Sequence, residues 1–316
     1  MTTTSTEQRG RPELDVAGAA PVRHPLRLLA TVGVVVLAAM LGHMLVTNRN
    51  FQWDVVASWF TAETIMRGLG MTLMLTAIAM VIGVGLGILI AVARMSGNPL
   101  LSAVASGYIW LFRAIPELVQ LLFWFNLAAL LPRLSVGIPF GPEFASWNTN
   151  SLITPLMAAI LGLGLLEAAY MAEIVRGGLL SVDHGQVEAA KALGMGSARS
   201  LRRIVLPQAM RFIVPPTGSQ VIRMVKGTSL VSVIALADLL YSVQVVYNRT
   251  FETIPLLIVA CGWYLILNSI LFVVQGAIER YYSRGSVGGS RPSLRELFRS
   301  RRPRNTPGSA IGEGQP

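Results

Sequence analysis

Six ionisable side chains stand inside stretches otherwise fit for hydrocarbon: Arg113 and Glu117 in "FRAIPELVQ", Glu167 and Glu173 in "LLEAAYMAEIV", and Arg223 and Lys226 in "VIRMVKGTSL". A charge at membrane depth is costly, so such groups either neutralise one another or serve a polar route. Both readings stay open from the residues alone. Glu167 or Glu173 can pair with Arg223 or Lys226, and the same groups, with Gln120, Thr228 and Ser229 as neutral hydrogen-bonding neighbours, are candidates to line a path for a polar solute.

Chemistry of other kinds lacks its residues. The histidines His24, His43 and His184 have no metal-ligand spacing, and the one cysteine, Cys261, builds neither a disulfide nor a zinc site, so no metal is expected. No Ser/His/Asp arrangement is signalled, and the chain is not read as an enzyme. A phosphate loop of the form G-x-x-x-x-G-K-[ST] does not occur, so no ATP or other cofactor is expected on this chain. "GVGLG" at Gly83–Gly87 lies mid-span and reads as small residues that let helices approach.

The elements that must hold these residues are membrane helices. Hydrophobic residues make up 53% of the 316 and charged residues 13%, about half the share usual in soluble domains. A span needs about 20 apolar residues. Six stretches qualify: Leu28 to Val46, Leu69 to Ala93, Ala105 to Leu131 with Pro116 inside, Leu152 to Val175, Phe212 to Ala237 and Pro255 to Ile278. The third is expected to run first along the surface and to span only after Pro116. Pro215 and Pro216 are expected to break the fifth at depth. The fold class is therefore an all-α integral membrane protein of about six transmembrane helices, flanked by polar tails at 1–27 and 283–316 that are too polar to order themselves.

Orientation follows from Lys and Arg. With both termini in the cytoplasm, nineteen of the 26 lie on that side, four (Arg49, Arg67, Arg133, Arg249) lie opposite and three sit at span depth. That asymmetry also accounts for the net charge of +10 without nucleic acid. The first apolar run lacks a small-x-small cleavage site and reads as a permanent span.

Between the fourth and fifth spans, "VEAAKALGMGSARSLRRIVLPQ" specifies two short helices on the cytoplasmic side. Asp183 with Gln186 suggests a capping box, Val187, Ala190 and Leu193 share a face, and Gly194 supplies a left-handed stop. Ser197 is placed to cap a second helix that Pro207 ends. A DNA-reading helix-turn-helix needs a globular domain beneath it, and only about 30 residues separate the two spans, too few to lift a reading helix into a groove. A linker lying on lipid headgroups and a docking element for a cytoplasmic partner remain.

"EAAKALG", nine residues and "IVLP" resemble the EAA motif of ATP-binding-cassette importer permeases, carried here by Glu188, Ala189, Ala190, Gly194, Ile204, Leu206 and Pro207. The longer run from "AAYMAEIVRGG" to "VIRMVKGTSL" is similar to the polar amino acid subfamily, as are "GMTLMLTAIAMVIGVGLGILIAVARMS" and "LFRAIPELVQLLFWF". The likeness covers about residues 65 to 280. It implies a five-helix permease core with one extra N-terminal span at 28–46, and a coupling helix within 183–208 that docks a separate ATPase. It also implies an extracytoplasmic solute-binding protein, a second copy or a related permease, and transport of a polar or charged amino acid across the cell membrane. This sequence departs from the subfamily at Glu167, where a small or neutral residue is usual, and at Gly227, where Asp or Asn is more common. A self-sufficient secondary transporter would show paired internal repeats, and none is evident.

Overall fold

In the computed structural model, residues 25–138 and 142–283 are described. The tails expected at 1–27 and 283–316 lie almost wholly outside them. Four helices are long and apolar enough to cross a membrane: α1 (Pro25–Thr47), α3 (Glu63–Arg94), α8 (Pro155–Leu180) and α13 (Thr253–Ser283). Two bent pairs raise the number to six if each is one span. They are α4 (Pro99–Ala114) with α5 (Glu117–Phe125), and the helix that contains α11 (Leu206–Gly227) with α12 (Leu239–Thr250).

Packing radiates from α8. Most of its span is buried, against almost none of α13 and none of α1, so α8 is the central helix and α1 and α13 are the peripheral ones. Apolar surface has no reason to leave lipid, so close contact must come from shape. Along the α3–α8 seam it comes from glycine. A β-carbon at Gly83 would lie 2.5 Å from Glu167 Cγ, and one at Gly87 would lie 2.5 Å from Met171 Cβ. A core of Leu75, Ala79, Leu121, Leu163, Met224 and Val231 ties α3, α5, α8 and α11 together. A second core of Ile65, Leu239, Val243, Leu256 and Val259 joins the start of α3 to α12 and α13.

Three expectations need correction. Pro215 and Pro216 do not break the fifth span, because α11 runs through both. The helix is tied down beside them, where Gln275 Nε2 donates to the Pro215 carbonyl at 2.7 Å and the Thr217 hydroxyl donates to the Ile213 carbonyl at 2.7 Å; the carbonyls that the prolines leave without an N–H are those of Arg211 and Phe212. Pro207 does not end a helix either. From α10 (Ser197–Ser200) the chain continues through a π-turn, Leu201–Val205, into α11, whose first turn accommodates a residue without an N–H. The stretch expected as one span over Phe212–Ala237 is instead α11 followed by a 3-10 segment, Thr228–Ile234.

Several elements lay outside the sequence reading. These are α2 (Trp53–Phe60), a two-stranded antiparallel hairpin of β1 (Arg133–Gly137) and β2 (Glu143–Asn148), α7 (Thr149–Leu152), and α12, whereas α6 (Leu127–Leu130) falls within the third expected stretch. Asp238, fully buried, caps α12 by accepting from Tyr241 N at 2.8 Å, and Thr72 accepts from Leu239 N at 3.1 Å.

Candidate functional site

The site begins at the break in the third span. Pro116 holds Ile115 extended, so α4 stops at Ala114 and α5 starts at Glu117 after a bend of 101°. A break strands carbonyls at depth. Gln120, 5% exposed, answers this with Nε2, which donates to Phe112 O at 2.7 Å and Ile115 O at 2.8 Å. Of the residues read as path candidates, Gln120 is thus a support of the break.

Two charge clusters flank the break. In the first, Glu167 is fully buried on α8 and accepts from Arg223 Nη2, and Arg223 Nε donates to Gln220 at 2.6 Å. Glu117 Oε2 stands 3.6 Å from Arg223 Nη1, inside ion-pair range and outside hydrogen bonding. Glu117 Oε1 and Glu167 Oε1 are buried with no hydrogen-bond partner. A β-carbon at Gly227 would sit 3.0 Å from Glu117 Oε1, so the glycine that departs from the subfamily pattern leaves that oxygen its space. Two carboxylates share one guanidinium. The tighter pair is Glu167 with Arg223, and Glu117 is the surplus anion.

The second cluster has the opposite sign. Glu173 Oε1 accepts from Arg94, and its Oε2 accepts from Arg176 Nε at 3.0 Å and Nη2 at 2.9 Å. Arg113 stands 3.9 Å from Glu173 Oε1, again too far for a hydrogen bond. Three guanidinium groups face one carboxylate. Tyr170 lies between the clusters, with the Arg223 guanidinium 4.5 Å and that of Arg113 5.3 Å from its ring centre, within cation–π range.

Other candidates are placed apart. Lys226 is exposed, with no carboxylate within 4.0 Å among the described residues. Thr228 is buried and donates to Val225 O at 2.7 Å, and Ser229 donates to Lys226 O at 2.7 Å, so both hydroxyl protons serve their own helix. Tyr170, Arg94 and Arg176 were not singled out from sequence. Tyr170 had a signal: at three residues from both Glu167 and Glu173 it shares their helical face.

The second feature is the segment between α8 and α11. Asp183 caps α9 (His184–Ala192) by accepting from Gly185 N at 2.6 Å. The reciprocal half of the expected box is replaced, since Gln186 accepts from Gln208 Nε2 at 3.4 Å. Gly194 has φ +73°, with Gly194 N bonded to Lys191 O at 2.9 Å and Met195 N to Ala190 O at 3.0 Å, the paired bonds of a Schellman stop. Ala190 is buried and Glu188 and Ala189 are exposed. Leu193 does not share Ala190's packed face as expected, being 82% exposed. Farther on, Leu206 and Pro207 are exposed and Ile204 is half-buried.

Residues 83–284 match the family described as binding-protein-dependent transport system inner membrane component. The arginine transport system permease protein ArgU of Corynebacterium glutamicum is 44% identical over 272 residues, covering 85% of this chain and 84% of that protein. The nopaline transport system permease protein NocM of Agrobacterium fabrum is 34% identical over 229 residues, covering 71% and 91%. Among solved structures, an amino acid ABC transporter crystallised with histidines superposes with a TM-score of 0.60 at 33% identity, over 69% of this chain and 94% of that one.

Proposed function

The chain belongs to the binding-protein-dependent transport system inner membrane components, and from that premise we propose that it carries an amino acid with a cationic side chain. It is a multi-pass permease subunit of an amino-acid ABC importer. Permeases of this kind transport and do not catalyse, and the family works with an ATPase and a binding protein.

The observation that carries the substrate class is the shared guanidinium. Arg223 hydrogen-bonds Glu167 and stands only in ion-pair range of Glu117, so Glu117 brings a negative charge with no hydrogen-bonded cation to the broken span. A guanidinium or ammonium of a passing solute is the group that such a carboxylate favours. The name of ArgU, an arginine permease, agrees with that sign.

The rest of the proposal concerns the machine. ATP is bound and hydrolysed by a separate subunit, since this sequence carries no phosphate loop. That subunit docks on the segment from Glu188 to Pro207, with Gly194 setting its turn. A second permease, a copy or a relative, completes the pore. Both termini face the cytoplasm, and a solute-binding protein presents substrate on the other side.

Reconstituting the chain with its ATPase and binding protein in vesicles tests this. Glu117→Gln is expected to lower kcat/KM for L-arginine by about tenfold or more, the loss of one hydrogen bond to a charged group at about 1.5–3 kcal/mol. Unchanged arginine uptake would remove Glu117 from the path. Uptake without any ATPase, or exclusive transport of a sugar or a metal ion, would overturn the importer reading itself.

A further inference from the structure

Arg113 is the mirror image of Glu117. Its side chain, 45% exposed, closes the last turn of α4, where a cation ordinarily meets helix carbonyls. Here the Phe112 and Ile115 carbonyls are taken by Gln120. Its other natural partner, Glu173, already accepts from Arg94 and Arg176 on its two oxygens. The guanidinium therefore keeps its donors at the edge of an open cleft of about 430 Å³, lined also by Ser106, Trp110, Tyr170, Arg94 and the Glu173 carboxylate that Arg94 and Arg176 hold. That volume falls in the range of small-molecule sites.

A free amino acid carries both signs at once. On the two sides of Pro116 stand one guanidinium and one carboxylate in ion-pair range of a partner but not hydrogen-bonded to it, Arg113 and Glu117. Tyr170 touches Arg113 on one side and Glu117's partner Arg223 on the other, so the two groups belong to one connected set of side chains. We infer that Arg113 receives the α-carboxylate of the transported amino acid, the planar fork of its guanidinium matching the two carboxylate oxygens. The inference rests on the amino-acid reading above and is separable from the cationic side chain assigned to Glu117. Trp110 is 70% exposed on the same cavity, so a lipid phosphate is the competing anion.

Equilibrium binding to the purified permease–ATPase complex in lipid nanodiscs, with no binding protein present, separates these outcomes. The probes are L-arginine, L-lysine, L-histidine and L-glutamine, each measured against its own carboxamide, which lacks the carboxylate. The native chain is expected to bind the acid about tenfold or more tightly than the amide. Arg113→Gln is expected to abolish that ratio, and Arg113→Lys to leave an intermediate one because charge persists without the fork. Arg67→Gln, in an exposed pair with Glu63, serves as the control that changes nothing. Should Arg113→Gln fail to assemble with the ATPase, the lysine variant carries the comparison. An acid-to-amide ratio that survives in the variants overturns the inference. So does an affinity that follows the phosphatidylglycerol content of the disc while that ratio stays at one, which assigns the cavity to lipid phosphate. Carboxylate-dependent binding of glutamine alone keeps Arg113 in its role while removing the cationic assignment of Glu117. No binding of any probe to the native complex defeats both.

Discussion

Substitution at Gly194 tests the docking segment through one torsion. Its φ of +73° lies where side chains are penalised, yet a β-carbon built there meets nothing within 4 Å. The cost of a substitution is therefore conformational and not steric. For an ordinary residue it is about 1–2 kcal/mol, least for Asn and greatest for β-branched Val. Leaving the left-handed region also loses the two bonds of the stop, Gly194 N to Lys191 O and Met195 N to Ala190 O. A penalty of that size shifts the population of the native turn by a factor of about 5–30. The apparent affinity for the ATPase should fall by a similar factor, in the order Asn, Ala, Val from mildest to worst. Membrane insertion should not change, because no span is touched. Titrating detergent-solubilised permease with purified ATPase, and following substrate-stimulated hydrolysis in vesicles, reads both quantities. Wild-type association and uptake in Gly194→Val would remove the docking assignment, and Asn as harmful as Val would show that the torsion is not the cause.

The α3–α8 seam makes a prediction of opposite signs: Gly87→Ala should lower the thermal midpoint, costing about 1–3 kcal/mol by overpacking against Met171. Gly85→Ala, with nothing within 4 Å, should raise it by relieving glycine's entropy cost of about 0.5–1 kcal/mol. Shifts of one sign for both refute the seam. Gln120→Leu strands the Phe112 and Ile115 carbonyls and should destabilise by about 1–3 kcal/mol for each buried group left unpaired, whereas an unchanged melt would mean that they have other donors. For orientation, Glu188→Cys in a Cys261→Ser background should react with an impermeant maleimide in inside-out vesicles and not in right-side-out ones, and the reverse pattern contradicts cytoplasmic termini.

The spans were legible because hydrocarbon imposes one rule on every helix, and the boundaries of α3 and α13 differ from the apolar runs mainly where polar ends extend the helices past the apolar core, while α8 starts three residues later than its run, at Pro155. Proline was the poor guide. Pro116, Pro207, Pro215 and Pro216 all read as breakers, yet only Pro116 breaks a helix. The difference lies in what surrounds each. Gln275 on α13 ties the turn at Pro215 to a second helix, and a π-turn brings the chain to Pro207 in register, whereas the Pro116 break is itself stabilised by Gln120 four residues on. Those donors come from folding, and from distant helices in the case of Gln275, so a local pattern does not contain them. The hairpin at Arg133–Asn148 escaped for another reason. Its strands are short and mostly exposed, and alternation is weak without a buried face.

The charges show where sequence reading stops. Neutral pairing and a polar path were alternatives for the same six residues, and the geometry pairs some of them and leaves others without a hydrogen-bonded partner. Glu167 and Arg223 neutralise each other, as do Glu173 and the pair of Arg94 and Arg176 in part. That pairing is what leaves Arg113 and Glu117 in surplus, one on each side of Pro116. Had Arg223 bonded Glu117 instead, the fully buried Glu167 would be the unpaired charge, deep between α3 and α8 and at a cost of about 3–5 kcal/mol. Glu117 keeps 24% of its side chain exposed although its Oε1 is buried, so the surplus falls on the less buried of the two carboxylates. Which partner a shared guanidinium prefers thus decides which carboxylate is left without a hydrogen-bonded cation, and that choice rests on Gly83 letting α8 close on α3 until Glu167 has no solvent left. Enlarging Gly83 should therefore move the surplus as well as loosen the seam.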